Sequence, residues 1–586
     1  MATTTPQFDP IVSIVGFHHA RGPEIECWIG VEDEGSLSEW PLLPFMALSD
    51  GAHSSSEDFS YFTLKHVLRK PDGTEDRPVS LFGISCTRQL DSSTLIRRPH
   101  EVTRSTVQKA VVVIADSPVY FGGLKEKLGM VTRAWFAQRN FEDLDIIRKF
   151  QESLKLSLSV GSDQYLGLSL RELVFEFRQQ TLVLFKCCLL QPKMLFFGSR
   201  CDRLCMTQFS LLSLIPGLLG ALEDCADPEL NYYEGKLFKP TSVKTSDRKS
   251  LLTFMGMPLQ IFGKGSLFGP YTPLQQLDIL ADVGTKSYVV GSTNSLLLQQ
   301  KDRYSDILIN LDELSVNITS SSLRTALYLT AADRRWIDSI VQAVAESWDE
   351  NDPSRPNTMG FVGSEDYIRL QFEEYALSMV SSVKCHDFLQ KYAGSAGKLL
   401  PDVEGDPALD FGMDFIDMWK KTENYRIFQK FTDSELFDLV PPKHVMAGGL
   451  TMDDVSRRIS QQLNELKLDE KMVNGREAVA KTLVAGRGKL GAAFSTLTSN
   501  VASLRETQTK KLSNPEPHSP TPSITPSVDS SEAGEKPAEP PQPAKGGYFS
   551  AWASWAGEKK RKAFGGTPAQ TPSSSPPMKA TSNSET

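Results

Sequence analysis

The stretch GSRCDRLCMTQFSLLSLIPGLLGAL, residues 198–222, constrains the fold most, because it sets two cysteines four apart ahead of the longest apolar run in the chain. Such a segment can hold a metal, cross a bilayer or fill a core. Cys201 and Cys205 would share one face of a helix, but zinc takes about four ligands. The nearest histidines in sequence are His100 and His386, and only Cys225 is close enough to add. Free cysteine is among the residues most often buried, so the pair reads as small core hydrophobes and no metal ligand set is expected. Residues 206–222 include Thr207, Gln208, Ser210, Ser213 and Pro216 and fall short of the ~20 mainly apolar residues of a membrane span. Those polar groups would sit badly in lipid, and the stretch is expected to be a buried helix of a soluble domain.

A chain of 586 residues is too long for one core and suggests roughly three or four units at about 150 residues each. Its net charge of -9 lacks the global basic footprint of a nucleic-acid binder, so no nucleic-acid partner is expected. The eight cysteines are unevenly placed and mostly lie in apolar runs, which is reduced, cytosolic usage. The first residues, MATTTPQFDP, show no secretory or mitochondrial leader pattern, and a cytosolic chain is expected.

Ile11, Val12, Ile14 and Val15 form an apolar strand, ARGP (20–23) turns the chain, and EIECW alternates as the returning strand of a hairpin. SYFTL (60–64), VSLFGISCTRQL (79–90) and VQKAVVVIA (107–115) add β-rich runs. Leu124, Leu128, Val131 and Trp135, then Phe141, Leu144, Ile147 and Leu154, recur at helical spacing. A second block mixes expected strands (TLVLFKCCLL, KMLFFGS, SYVVGSTNSLLLQQ, DILINLDELSVNI) with helices at 202–222 and about 332–347, an α/β pattern. The region 361–450 reads mainly helical, and 348–360 and 393–407 read as surface loops. Residues 451–508 are polar and helix-prone. From 513 onward the chain is rich in Pro, Ser, Thr and Glu, with 13 of its 35 prolines, and is expected to be a disordered tail.

The catalytic signatures are thin. GRGKLG (486–491) spells the string of a dinucleotide turn but lacks the strand before it and the βαβ unit after it. FGKGSLFG (262–269) lacks Walker spacing and reads as a loop. His18 and His19 are adjacent on an expected strand, so they would face opposite sides and could not chelate together. His386 reads as a structural histidine. No nucleophile elbow, no H-E-x-x-H motif and no acid–base–nucleophile set is present, so neither catalytic residues nor a cofactor are expected.

Within the tail, Tyr548, Phe549, Trp552 and Trp555 are followed by Lys559, Lys560, Arg561 and Lys562. On a helix, 548, 552 and 555 align into an aromatic face with a basic end. That pattern suits an anionic membrane interface or the groove of a partner.

The words IVGFHHARGPEIE, LPFMALSDGAH, LFGISCTRQL, VTRSTVQKAVVVIADSPVYFGGLKEKL, FFGSRCDRLCMTQFSLLSLIPGL and MWKKTENYRIF run in order from about residue 11 to 430. Together they resemble the Avl family of late-secretory-pathway proteins within the DENN superfamily. The resemblance implies an α/β multidomain chain with a tripartite DENN arrangement. A longin-like upstream module (1–160) would precede a central α/β module (161–350) and a downstream helical module (351–450), with the helix-prone region at 451–508 and the tail at 509–586. It implies a Rab-type small GTPase as partner, guanine-nucleotide exchange as activity, and a cytoplasmic protein held peripherally on Golgi, endosomal or secretory vesicle membranes. The alternative it leaves open is a noncatalytic trafficking adaptor or scaffold.

Overall fold

The structure, a computed structural model, describes residues 8–31, 40–69, 75–98, 103–158, 169–242, 247–358, 360–392, 403 and 405–447. The helix-prone region 451–508, the tail 509–586, the GRGKLG string and the aromatic and basic island lie outside the described residues.

The apolar runs near the beginning of the chain form an antiparallel sheet of β1 (Ile11–His18), β2 (Gly22–Ile29), β3 (Glu57–Arg69), β4 (Glu75–Asp91) and β5 (Thr106–Ala115), in the order β2-β1-β5-β4-β3. Both faces are buried. Val12, Ile14, Ile84 and Val113 pack against the helices Phe121–Ala137 and Asp145–Leu158. Ile11, Val15, Phe62, Leu64 and Val112 pack against Trp40, Leu43 and Met46. A bulge interrupts β2, where Ile14 lies opposite Cys27 while Val15 lies opposite Ile25, leaving Glu26 as the extra residue. The Glu26 carboxylate crosses the bare Cα of Gly16 to pair with Lys109, and a Cβ at Gly16 would occupy its place.

The second sheet contains β6 (Lys193–Phe197), β7 (Ser266–Gly269), β8 (Ser287–Ser292), β9 (Ile307–Asn310) and β10 (Ser315–Ile318), in the order β10-β9-β6-β8-β7. Strands β9, β6, β8 and β7 run parallel, with β7 at one edge, and β10 returns antiparallel to β9 at the other. Both faces of this sheet are covered too, which is why its strands read as unbroken apolar runs. A helical layer follows, with Ala331–Glu346, the 27-residue Glu365–Lys391, Met413–Trp419 and Glu423–Phe431. One continuous apolar cluster joins the first sheet, the second sheet and this layer, from Val12 to Val445.

Several local expectations are corrected. TLVLFKCCLL is a helix, Gln180–Leu190, rather than a strand; it is buried from Thr181 to Leu190, so its apolar residues surround the axis and leave no periodic signature. The helix expected at 202–222 spans only Cys201–Ser213. Pro216 lacks an N–H and disfavours helical geometry in the residue before it, and Gly217 then turns the chain at φ 79°. SYVVGSTNSLLLQQ is a strand only to Ser292, after which the Asn294 side chain caps a short helix, Ser295–Gln299. In FGKGSLFG the loop gives way at Ser266 to β7. His18 and His19 do not face opposite sides: β1 ends at His18, strand alternation stops there, and the two rings stack with centroids 4.7 Å apart. His18 Nδ1 instead accepts the Ala20 and Arg21 N–H groups of the turn, each at 3.2 Å.

Candidate functional site

β3 is an edge strand of the first sheet, and a bare edge invites pairing. The segment around β7 covers it. Tyr271 N donates to Tyr61 O at 2.8 Å, and Thr63 Oγ1 donates to Phe268 O at 2.6 Å. Tyr61, Phe121, Phe209 and Phe268 pack between the two sheets with successive centroids 5.2–6.2 Å apart. Ser80 Oγ donates to Glu223 O at 2.8 Å and accepts the N–H groups of Cys225 and Ala226. At the other end Asp50 N donates to Tyr271 Oη, Thr293 Oγ1 to Asp50 O, and Asn294 Nδ2 to Asp50 Oδ2 at 2.9 Å. The two sheets therefore meet through backbone, hydroxyl and aromatic contacts together.

This junction sits at the carboxyl ends of the parallel strands, the side on which open α/β sheets present their binding loops. The loop after β6 carries Ser199, Arg200 and Asp202, and the turn after β9 carries Asp312, whose carboxylate accepts the Ser199 N–H at 3.0 Å. Lys125, from a helix on the first sheet, grips both oxygens of Asp202 at 2.8 and 2.9 Å, and Tyr61 Oη donates weakly to the same group at 3.4 Å. Asp58 lies beside Asp202; burial pushes its carboxyl above the ordinary range, and the Asp202 charge adds to that. Arg203 joins Glu176 at 2.8 Å and Leu311 O at 3.0 Å. The result is a rim of mixed charge, with Asp50, Asp58, Asp202 and Asp312 set among Lys125 and Arg200, contributed by both sheets.

Chemically the rim is suited to recognition. Beneath it Cys201 Sγ lies 3.9 Å from Cys205 Sγ, and Cys205 Sγ lies 3.8 Å from Tyr61 O. Burial raises the Cys201 thiol and the Tyr61 phenol well above their ordinary values, which keeps both protonated and poor as nucleophiles. Among the described residues no three His, Cys, Asp or Glu side chains are grouped to hold a metal ion, and no helix is long and apolar enough to cross a membrane.

A second polar group locks the helical layer to the rest. Lys186 Nζ donates to Asp333 Oδ2 at 2.6 Å and to Phe411 O at 2.8 Å, with both side chains of the ion pair fully buried. Thr330 N also donates to Asp333 Oδ2, while Tyr375 Oη donates to Oδ1 at 2.7 Å and His444 Nε2 lies 3.2 Å from it. Burial works against the Asp333 charge, yet the Lys186 ammonium and these donors hold its carboxyl at about 2.

The site residues expected from sequence, Tyr548, Phe549, Trp552, Trp555, Lys559, Lys560, Arg561 and Lys562, lie outside the described residues. Sequence reasoning missed the rim, whose members come from five distant segments without a motif. It also missed Lys186, whose signal was a lone cation inside an apolar run.

The family profile described as Transport protein Avl9 matches residues 10–383. The chain is 41% identical over 479 residues to the late secretory pathway protein AVL9 of Saccharomyces cerevisiae, an alignment covering 78% of this chain and 63% of that protein. It is 38% identical over 473 residues to the late secretory pathway protein avl9 of Schizosaccharomyces pombe, covering 80% of this chain and 97% of that protein. The chain thus spans less than two thirds of the first relative and nearly all of the second.

Proposed function

The chain belongs to the Avl9 transport-protein family, and from that premise we propose that it serves vesicle-mediated transport in the late secretory pathway by acting on a Rab-type small GTPase as a guanine-nucleotide exchange factor. The observation that carries the pathway is the alignment to two late secretory pathway proteins over about four fifths of the chain. A sheet covered by helices, a parallel-cored second sheet and a helical layer support a tripartite DENN arrangement with modules at 1–160, 161–350 and 351–450. The GTPase would dock on the charged rim that the first two modules build together.

Exchange needs no acid, base or nucleophile from the protein. A partner that binds the nucleotide-free GTPase more tightly than the nucleotide-bound form weakens nucleotide affinity by the same factor, because the coupling is reciprocal. A rim rigidly set between two sheets can supply that difference. The protein would work peripherally at Golgi, endosomal or secretory vesicle membranes, with the island 548–562 adding attachment to anionic lipid.

The test is release of a fluorescent GDP analogue from a full Rab panel, with and without liposomes. One Rab should release GDP faster with the chain than without it, and Lys125→Glu with Arg200→Glu should abolish the response. Binding of a Rab regardless of nucleotide state, without faster release, would replace exchange by the adaptor function.

A further inference from the structure

The described chain ends beside two exposed apolar residues of the helical layer. His444 Nε2 lies 3.2 Å from Asp333 Oδ1 and its ring 4.7 Å from that of Phe411. Met446 N donates to His444 Nδ1 at 3.0 Å and Ala447 N to His444 O at 2.9 Å, so the end of the described chain is turned back onto this histidine. The segments 328–330 and 409–412 meet at the same place. Thr330 Oγ1 donates to Asp410 O at 2.7 Å, and a Cβ on Gly412 would lie 3.6 Å from Thr330 Cγ2 and 4.0 Å from Tyr328 O. Thr330 N also donates to Asp333, the partner of His444. Tyr328 is 69% exposed and Leu409 58%, the highest values for large apolar side chains among the described residues from 319 to 447.

The sequence that follows is built to cover such a spot. After Gly448 and Gly449 comes LTMDDVSRRISQQLNEL, residues 450–466. Thr451 and Asp454 repeat the spacing with which Thr330 and Asp333 form the capping box of the helix Ala331–Glu346. Leu450, just before the cap, and Val455, in the first turn after it, are spaced for a hydrophobic staple. Met452, Val455, Ile459, Leu463 and Leu466 then fall within about 80° of arc at about 100° per residue, with polar side chains around the rest of the circumference. A helix of this length is marginal alone in water and gains its stability by packing such a stripe.

We propose that residues 452–466 form an amphipathic helix that docks, within the same chain, over Tyr328 and Leu409. Three observations select this occupant. Only residues 448–451 separate Ala447 from Met452, a reach of about 18 Å at full extension, so a helix starting there stays beside the point where the described chain ends. An alignment covering 80% of 586 residues spans about 469 of them, more than the 447 up to that point, so the likeness to the Schizosaccharomyces pombe protein continues past Ala447. The segment 452–466 itself sets Arg457 and Arg458 against Asp453, Asp454 and Glu465, a net of -1, which disfavours an anionic membrane as the surface that receives the stripe. The short tether keeps the stripe at high local concentration over its own chain and favours that contact over a second copy.

The experiment is hydrogen–deuterium exchange, read by mass spectrometry, on the dilute full chain without lipid. Amides of 455–466 should exchange more slowly than those of the Pro-rich stretch 513–545. Ile459→Ser with Leu463→Ser, and separately Tyr328→Ser with Leu409→Ser, should each remove that protection, whereas Gln461→Ser with Asn464→Ser on the polar side should keep it. Unchanged exchange in β1 and β6 should show that every variant folds. Amides of 455–466 that exchange as fast as the Pro-rich stretch, or protection that survives Tyr328→Ser with Leu409→Ser, would overturn the contact. Protection seen only at concentrations where sedimentation shows a dimer would give the stripe to a second copy, and protection seen only with phosphatidylserine vesicles would give it to lipid; either result overturns the proposal.

Discussion

Lys186 sits in a helix that is otherwise apolar on every side, and its ammonium has no route to water. The charge is tolerated only because Asp333 faces it, and Asp333 in turn is held by Thr330, Tyr375 and His444. Removing one member leaves the other charge buried and uncompensated. Lys186→Met is therefore expected to cost about 3–5 kcal/mol, read from the shift of a denaturant midpoint. Asp333→Leu added to it should restore much of that loss, since two matched apolar side chains cost less than one orphaned ion. The same pair sets part of the acid response. The Asp333 carboxyl titrates at about 2 when folded against an ordinary 3.8, so its contribution is complete above about pH 4 and is lost as pH falls through the folded value. Asp333→Asn should flatten stability against pH between those limits, and an unchanged acid limb would show that the carboxylate does not carry the charge.

The helix Cys201–Ser213 packs on β8, and its Leu204 and Gln208 side chains lie against Gly291. A Cβ there would run into Pro270 O and Gln208 Nε2, while Gln208 is itself committed to Pro270 O at 2.7 Å and Leu204 O at 3.0 Å. Gly291→Ala should cost about 1–3 kcal/mol by overpacking, whereas Gly235→Ala, which meets nothing within 4 Å, should be nearly neutral. Equal effects at the two sites would show that the helix is not seated in this way. The hairpin β1–β2, the strands β3 to β5 and the helix Phe121–Ala137 were legible in the sequence, because β-branched runs between turn residues mark the strands and an apolar helical period marks the helix. The helix Gln180–Leu190 was not, because a run such as TLVLFKCCLL is equally apolar as strand or helix and only its neighbours decide. The rim was illegible for another reason. Asp50, Asp58, Lys125, Arg200, Asp202 and Asp312 are ordinary charged residues until two sheets meet, and no spacing along the chain announces that they will share a surface.

Charge divides the whole molecule unevenly. Residues 448–586 carry 18 Lys and Arg against 14 Asp and Glu, a net of +4, while the preceding part stands at -13. On the proposed peripheral role, anionic membranes should therefore be met through the tail. Phosphates on Ser519, Thr521, Thr525, Thr567, Thr571 or Ser575, each directly before a proline, would weaken that attachment. Cohesion, in contrast, is shared. The apolar cluster that includes Val12 and Trp135 from the first sheet and its helices also includes Phe209 and Phe268 between the sheets, and Trp336, Tyr375 and Trp419 in the helical layer. Unfolding one part would expose the core of the next, and the junction would lose the bonds of Tyr61, Thr63 and Ser80 at the same time. Calorimetry of the full chain should accordingly show one dominant cooperative transition whose calorimetric and van't Hoff enthalpies agree. A chain beginning near residue 165 would leave Phe209, Phe268 and Tyr271 uncovered, and is expected to melt broadly, aggregate and fail to engage the proposed GTPase. Two well-separated transitions, or a truncated chain that melts as sharply as the parent, would mean that the two sheets are independent domains and that the rim between them is no fixed surface.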